Sequence, residues 1–112
     1  MEDRPVKTLA SMLALTATLV TAQGAMAQAA EPTVVMSSMS YGKIPSGLKV
    51  GDTVTWINRD SVPHTVTARD HSFDLRVAPG QTVKMPLRKA GVFPFFCTYH
   101  TMMRGTLTVA PQ

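Results

Sequence analysis

The segment FPFFCTYHTMMRG, residues 93–105, contains Cys97, the only cysteine in this chain of 112 residues. Phe93, Phe95 and Cys97 share one parity. Apolar residues that recur at every second position are typical of a β-strand with one face in a core. If the two phenylalanines face the core, Cys97 faces it too, at the last position of its strand. The next strand begins near Gly105 and follows the same alternation.

Alternation with period two and frequent turn signals run through most of the chain. DTVTWIN (52–58) and QTVKMPL (81–87) alternate clearly, and Gly, Pro, Asp and Asn separate the shorter runs TVVMSSMS, HTVTA, VFPFFC and GTLTVA. With no amphipathic helical stretch, this pattern predicts an all-β fold, a small antiparallel β-sandwich or barrel of about seven or eight strands. Pro94 inside one strand and Pro86 near the end of another indicate edge positions or bulges, because proline cannot donate to a β-ladder.

The N-terminal segment has the features of a secretory signal peptide. Two basic residues precede an apolar run over residues 9–20, and a pattern of small residues ends at Ala27. This order predicts a signal peptide over residues 1–27, with cleavage near Ala27. The apolar run is too short and too often interrupted by Thr and Ser for a good membrane span. Residues 28–112 are therefore predicted to form one small exported domain without stable membrane insertion.

Charge and cysteine content narrow the functional classes. Residues 28–112 contain nine Lys and Arg against five Asp and Glu, which leaves a net charge of +4. Such modest basicity can steer an acidic partner towards the protein. The sequence has no basic cluster with interleaved aromatic residues, so it does not indicate nucleic-acid binding. A single cysteine cannot form an internal disulfide, the usual stabiliser of a small exported domain. An odd cysteine in such a protein indicates intermolecular pairing, a reactive thiol or a metal ligand.

Residues that can bind a metal accompany this cysteine. His64 has the parity of the inward residues in HTVTA, and His100 follows Cys97 by three positions. Met103 has the parity of the inward residues in the last strand, whereas Met102 does not. Thiolate and thioether favour copper(I), imidazole suits either oxidation state, and two His, one Cys and a weak axial Met form a blue-copper electron-transfer site. Zinc is expected to prefer a second thiolate or a third imidazole.

The segments VGDTVTWIN, VPHTV, GVFPFFCTYH and MMRGTLTV resemble the cupredoxins, and among them the amicyanin-like type. The spacing of Cys97, His100 and Met103 is similar to that in the short ligand loop of amicyanins. The resemblance implies a Greek-key cupredoxin fold and one type 1 copper ion, with His64, Cys97 and His100 as equatorial ligands. Met103 takes the axial position. The resemblance also implies a monomeric periplasmic electron carrier, with the surface edge of the second histidine as the exit for the electron.

The first functional hypothesis is therefore an electron carrier and not an enzyme. It takes one electron from a periplasmic dehydrogenase or a similar donor and passes it to a cytochrome or an oxidase. Four protein donors leave no open metal position for a substrate. The second hypothesis is a periplasmic copper-binding protein for storage, delivery or resistance, in which Met102 and Met103 hand on copper(I). The third is a structural β-sandwich with an incidental thiol.

Three further residues near these motifs are interpreted separately. His71 lies among turn residues and charges, which predicts a solvated loop histidine outside the site. Tyr99 and Thr65 stand where amicyanins usually have Pro and Asn. Proline restricts φ and has no N–H, so Tyr99 is expected to loosen the ligand loop or to change the hydrogen bonds at the thiolate.

Overall fold

The structure is a computed structural model that describes residues 16–17 and 28–112. The regular structure in these ranges is nine β-strands, and no helix there has the length and apolar character needed to cross a membrane. The predicted signal peptide, residues 1–27, lies outside the described residues apart from residues 16–17. The strands are β1 (Thr33–Ser37), β2 (Ser40–Tyr41), β3 (Leu48–Lys49), β4 (Thr53–Asn58), β5 (His64–Ala68), β6 (Asp74–Val77), β7 (Thr82–Pro86), β8 (Gly91–Phe96) and β9 (Arg104–Ala110).

The strands form two sheets that enclose one core. The first sheet has the order β2-β1-β4-β7, and the second has the order β3-β9-β8-β5-β6. The prediction of an all-β sandwich is thus confirmed. Two neighbouring pairs, β1 with β4 and β3 with β9, are parallel, whereas the sequence predicts antiparallel sheets. The reason for this difference is that side chains alternate with period two in both arrangements, so alternation does not reveal strand direction.

Three aromatic rings from both sheets meet in the core. Trp56 of β4 and Tyr41 of β2 belong to the first sheet, and Phe95 of β8 belongs to the second. The ring centroids of Trp56 and Phe95 are 5.5 Å apart, and those of Tyr41 and Phe95 are 4.9 Å apart, both in edge-to-face geometry. Such pairs add about 0.5–1.5 kcal/mol beyond the burial of their surface. These contacts join the two sheets close to the end of β8, where Cys97 follows.

The two prolines inside strands lie where a missing N–H leaves no gap in a ladder. Pro86 ends β7, an outermost strand of its sheet. Pro94 lies in β8, an interior strand, but the pairing of β5 with β8 ends at Ala68 and Phe95. The carbonyl of Pro94 accepts a hydrogen bond of 2.9 Å from the amide of Arg69, just past β5. Pro86 therefore lies at a sheet edge, as the sequence predicts, whereas Pro94 lies in an interior strand, just beyond the ladder between β5 and β8.

The alternation does not predict β3 and β6. β3 has only two residues, Leu48–Lys49, and lies in a segment with strong turn signals. β6 forms an edge of the second sheet and pairs with β5, so that Val77 lies opposite His64. This pairing covers one side of β5, all five residues of which are buried.

Gly105 of β9 lies opposite Phe95 in the β8–β9 ladder and leaves room for the ring. A methyl group at position 105 would collide with that ring. We therefore expect Gly105→Ala to lower the free energy of unfolding by about 1–3 kcal/mol, as overpacking does, measured by urea denaturation with circular dichroism. The matched control is Thr108→Val at an exposed position of the same strand, which should change stability by less than about 0.5 kcal/mol. Equal effects of the two substitutions would contradict the steric argument.

Candidate metal centre

Three of the four predicted donors lie at strand ends, and the fourth lies in the loop between two of these strands. His64 is the first residue of β5. Cys97 directly follows β8, and Met103 directly precedes β9. His100 lies midway in the connection between these two strands. Because β8 and β9 are neighbours in the second sheet, this connection starts and ends at the same edge of the sandwich.

The structure brings His64, Cys97 and His100 together. One donor atom of each residue lies within 4.8 Å of the other two. The Sγ of Cys97 is 3.8 Å from Nδ1 of His64 and 3.7 Å from Nδ1 of His100. With bonds of about 2.3 Å to sulfur and about 2.0 Å to nitrogen, as in zinc sites, trigonal coordination separates S and N by about 3.7 Å. The three side chains therefore have the spacing of ligands around a single metal ion.

Backbone hydrogen bonds make the segment from Cys97 to Met103 a compact loop. The amide of Cys97 donates to the carbonyl of Met103 at 3.0 Å. The amide of Met103 donates to the carbonyl of His100 at 2.8 Å, and the amide of His100 donates to the carbonyl of Cys97 at 3.3 Å. Each predicted donor in the loop is thus connected to the others through the main chain, which restricts their relative positions.

The donors differ in their exposure to solvent. His64 and Cys97 are fully buried, and Met103 is 3% exposed. His100 is half-buried, so part of its ring is open to solvent. Met102 is 84% exposed, as its parity predicts. Of the two methionines, Met103 is the one that lies on the core side of the loop.

Asp60 orients the ring of His64. Its Oδ2 lies 2.6 Å from Nε2 of His64. An ionised carboxylate only accepts hydrogen bonds, so Nε2 carries the proton, and Nδ1 keeps a free lone pair on the side of Cys97. A carboxylate in this position determines the tautomer and the ring orientation of a ligand histidine. Asp60 therefore prepares His64 to bind a metal through Nδ1.

The turn between β1 and β2 fixes the position of the Asp60 carboxylate. The carboxylate accepts hydrogen bonds from the amides of Ser38 at 2.7 Å and Met39 at 3.0 Å. These two residues have φ angles of 53° and 59°, in the left-handed region that residues with a side chain rarely adopt. The hydrogen bond from His64, followed by that from Met39, lowers the pKa of Asp60. A turn of the first sheet thus supports a donor of the second sheet.

Thr65 contributes a hydrogen bond to the sulfur. Its amide donates to Sγ of Cys97 at 3.3 Å, and its carbonyl accepts a hydrogen bond from the hydroxyl group of Tyr41. Burial raises the pKa of Tyr41, so its hydroxyl group stays a donor. Hydrogen bonds around a cysteine ligand tune the potential of a copper–thiolate site. The main chain of Thr65 is therefore fixed in place, and its amide can influence the reduction potential of a metal bound to the sulfur.

A chain of hydroxyl groups leads from the loop to a carboxylate on the outer face of the second sheet. The amide of Thr98 donates to Oγ1 of Thr65 at 2.8 Å, and this oxygen is 2.9 Å from Oγ1 of Thr67. Oγ1 of Thr67 is 2.8 Å from Oδ1 of Asp74. Since a hydroxyl group donates one hydrogen bond, Thr67 donates to the carboxylate and Thr65 donates to Thr67. Thr65 thus also anchors the residue that follows Cys97.

The sequence patterns do not single out Asp60, Thr67 or Asp74. The sequence shows only that Asp60 lies four residues before His64. This spacing indicates a contact only when the path of the chain between β4 and β5 is known. Thr67 and Asp74 are direct partners across β5 and β6, and register between strands is not visible in a sequence. His71 lies exposed in the turn between these strands, away from the cluster, as predicted.

Comparisons with known proteins agree with this arrangement. Residues 9–109 match the family model of the cupredoxin-like domain. Over 98 residues the chain is 35% identical to an amicyanin from Paracoccus denitrificans, and this alignment covers 76% of the chain and 71% of the relative. Over 77 residues it is 32% identical to a plastocyanin from Scenedesmus fuscus, and this alignment covers 55% of the chain and 78% of the relative.

The fold is also similar to solved structures of amicyanin variants. One of them, a Cu(I) form, matches with a TM-score of 0.61 and 33% sequence identity over 70% of this chain and 81% of that one. The range matched by the family model, residues 9–109, contains all four predicted donors. The chain belongs to the cupredoxin family.

Proposed function

We propose that the protein is a periplasmic electron carrier that binds one type 1 copper ion through His64, Cys97 and His100, with Met103 as the axial ligand. The observation that carries this proposal is the convergence of the first three donor atoms within 4.8 Å of one another. A copper ion bound there supplies one-electron chemistry by alternating between Cu(I) and Cu(II). The predicted signal peptide and the likeness to amicyanins support the periplasmic location.

The two histidines have different roles in this proposal. His64 is fully buried and bound to Asp60, so it keeps its position. His100 leaves part of its ring at the surface, beside Tyr99 and Met102 in the same loop, which are 52% and 84% exposed. A small interface with apolar contacts suits the brief docking of redox partners. Electrons pass at this edge, from a periplasmic dehydrogenase or a similar donor to a cytochrome or an oxidase.

Restricted ligand movement supports carriage of electrons. Fast transfer requires little rearrangement when the charge of the site changes, and side chains in a close-packed interior shift little. Cys97 is fully buried, receives a hydrogen bond from Thr65 and is tied to Met103 through the main chain. These contacts hold the donors in one arrangement for both oxidation states.

Copper delivery is the second candidate function. The exposed thioether of Met102 favours it, because a soft donor at the surface could pass on copper(I). The complete burial of Cys97 favours the carrier, since an ion bound to a buried thiolate leaves slowly. With Met103 in the fourth position, the site offers no open position to a substrate, so we propose a carrier and not an enzyme.

The colour of the copper(II) protein tests the role of Cys97. We expect an intense blue form, because charge transfer from a cysteine thiolate to copper(II) absorbs visible light. Cys97→Ser should lose this absorption and keep the β-sheet signal in circular dichroism. Visible and EPR spectra after addition of copper measure the first effect. A blue Cys97→Ser protein would rule out the proposed ligand.

The reduction potential separates the two methionines. Met103→Leu should raise the potential on the order of 59 mV, a tenfold change in the equilibrium of a one-electron couple, because the loss of a weak donor destabilises copper(II) more than copper(I). Met102→Leu is the matched control. Since Met102 is 84% exposed, this substitution should leave the potential nearly unchanged in voltammetry. The opposite ranking would exclude Met103 as the axial ligand.

Self-exchange of electrons between Cu(I) and Cu(II) forms tests whether the loop surface is the contact site. NMR line broadening in mixtures at moderate salt should show rapid exchange. Met102→Glu should slow it by about threefold or more, because two carboxylates then face each other across the contact. Val92→Glu introduces the same charge at a residue of β8 that is 64% exposed, and it should have little effect.

The same samples distinguish a carrier from a delivery protein. A carrier should retain copper(I) when a competing thiol chelator is added. Slow self-exchange of the wild-type protein together with prompt loss of copper(I) to the chelator would favour delivery.

A further inference from the structure

Three arginines lie on or beside the outer face of the second sheet: Arg76 and Arg104 near the candidate metal centre, and Arg69 just past the end of β5 that is opposite to His64. Arg104 of β9 is opposite Phe96 of β8, and Arg76 of β6 is opposite Thr65 of β5. Thr67, two residues after Thr65, is itself opposite Phe96. Residues opposite each other, and residues two apart on one strand, point to the same side of a sheet. These side chains therefore share one face.

Aromatic groups hold two of the arginines in place. The guanidinium group of Arg69, which directly follows β5, lies 4.7 Å from the ring centroid of Phe96. Nε of Arg76 donates to the hydroxyl group of Tyr99 at 3.4 Å. Contacts of this kind restrict the side chain while the charge stays at the surface. Through Tyr99, Arg76 also contacts the loop that contains His100.

A shallow recess lies between Arg69 and Arg104. Its remaining lining comes from Pro94, Phe95, Gly105 and Thr106. Each guanidinium group presents a planar fork of N–H donors that matches the two oxygens of a carboxylate. The recess thus has the shape and the charge to receive an acidic side chain.

The positive charge of this face is not neutralised within the part of the chain that the structure describes. The ion pairs found there join Lys49 to Asp52 and Lys84 to Glu31, and none involves Arg69, Arg76 or Arg104. One carboxylate, Asp74, lies on the same face and accepts a hydrogen bond from Thr67. This face therefore carries three positive charges and one negative charge.

We propose that this arginine face, formed by Arg69, Arg76 and Arg104, docks an acidic surface of a redox partner protein, with a carboxylate of the partner in the recess between Arg69 and Arg104. The inference rests on the proposed function and adds the docking surface and the chemistry of the partner. Because Arg76 contacts Tyr99 in the loop of His100, a partner on this face lies close to the exposed edge of that histidine. Unpaired charges beside such an edge accelerate encounter at low salt.

A small anionic oxidant tests the electrostatic part. Hexacyanoferrate(III) takes one electron from the Cu(I) protein and becomes hexacyanoferrate(II), while the protein becomes the Cu(II) form. At low ionic strength, Arg69→Gln, Arg76→Gln and Arg104→Gln should each slow this reaction about threefold, because each removes one charge that attracts the anion. The cation tris(phenanthroline)cobalt(III) should react faster with the same variants. Both differences should fade in about 0.5 M salt.

Arg88→Gln is the matched control for net charge. Arg88 is exposed and lies two residues beyond the end of β7. That end of β7 pairs with the start of β4, through Pro86 and Thr53. The opposite end of β4, at Asn58, contacts the segment before His64, so Arg88 is distant from the candidate metal centre. Arg88→Gln should change both rates by less than about 1.5-fold, because distant charges are screened. Equal slowing by Arg88→Gln and Arg104→Gln would overturn the proposal, since only net charge would then matter.

A peptide of ten glutamates tests docking without electron transfer. In an NMR titration, the amide signals of Arg69, Arg104, Gly105 and Thr106 should shift and saturate, and Arg104→Gln should weaken binding about threefold or more. Equal saturation by sulfate at the same ionic strength would overturn the proposal of a protein-docking surface. Because this titration does not require copper, peptide binding at the arginine face by a protein that forms no blue copper site would contradict the proposed function and support the docking surface.

Discussion

The hydrogen bond from the amide of Cys97 to the carbonyl of Met103, 3.0 Å long, is the contact on which the candidate metal centre depends. It continues the β8–β9 ladder beyond the pair Phe96 and Arg104, so the sheet itself sets the distance between the two ends of the loop. Five residues, 98–102, are left to make the turn. The chain must fold back over the sulfur within this length, and His100 is brought to 3.7 Å from Sγ of Cys97.

His64 reaches the same place through contacts between the two sheets. It begins a strand of the second sheet, but its ring is held by Asp60, which is in turn held by the turn between two strands of the first sheet. A buried imidazole without a partner would be costly, and the carboxylate removes that cost while leaving Nδ1 free. The orientation of His64 therefore depends on how the two sheets pack, whereas the loop from Cys97 to Met103 depends on one ladder.

This difference explains what the sequence could predict. The sandwich, the burial of Cys97 and the burial of Met103 but not of Met102 depend on alternation and on short spacings, which are visible in the sequence. The parallel pairing of β1 with β4 leaves no mark in the alternation. Asp60 contacts amides 21 and 22 residues away, and such long-range contacts follow only from the packed fold. Tyr99 is predicted to change the contacts of the loop, but its bond with Arg76 requires the unpredicted strand β6.

The contacts that stabilise the sandwich also reach the sulfur. With one cysteine, the chain cannot form an internal disulfide, and the aromatic contacts between the sheets take on more of the stabilisation. Tyr41 belongs to this aromatic group through Phe95 and Trp56, and its hydroxyl group binds the carbonyl of Thr65. The amide of Thr65 donates to Sγ of Cys97. Core packing and the hydrogen bonding of the sulfur are thus parts of one network, so stability and the properties of the site cannot be changed independently through these residues.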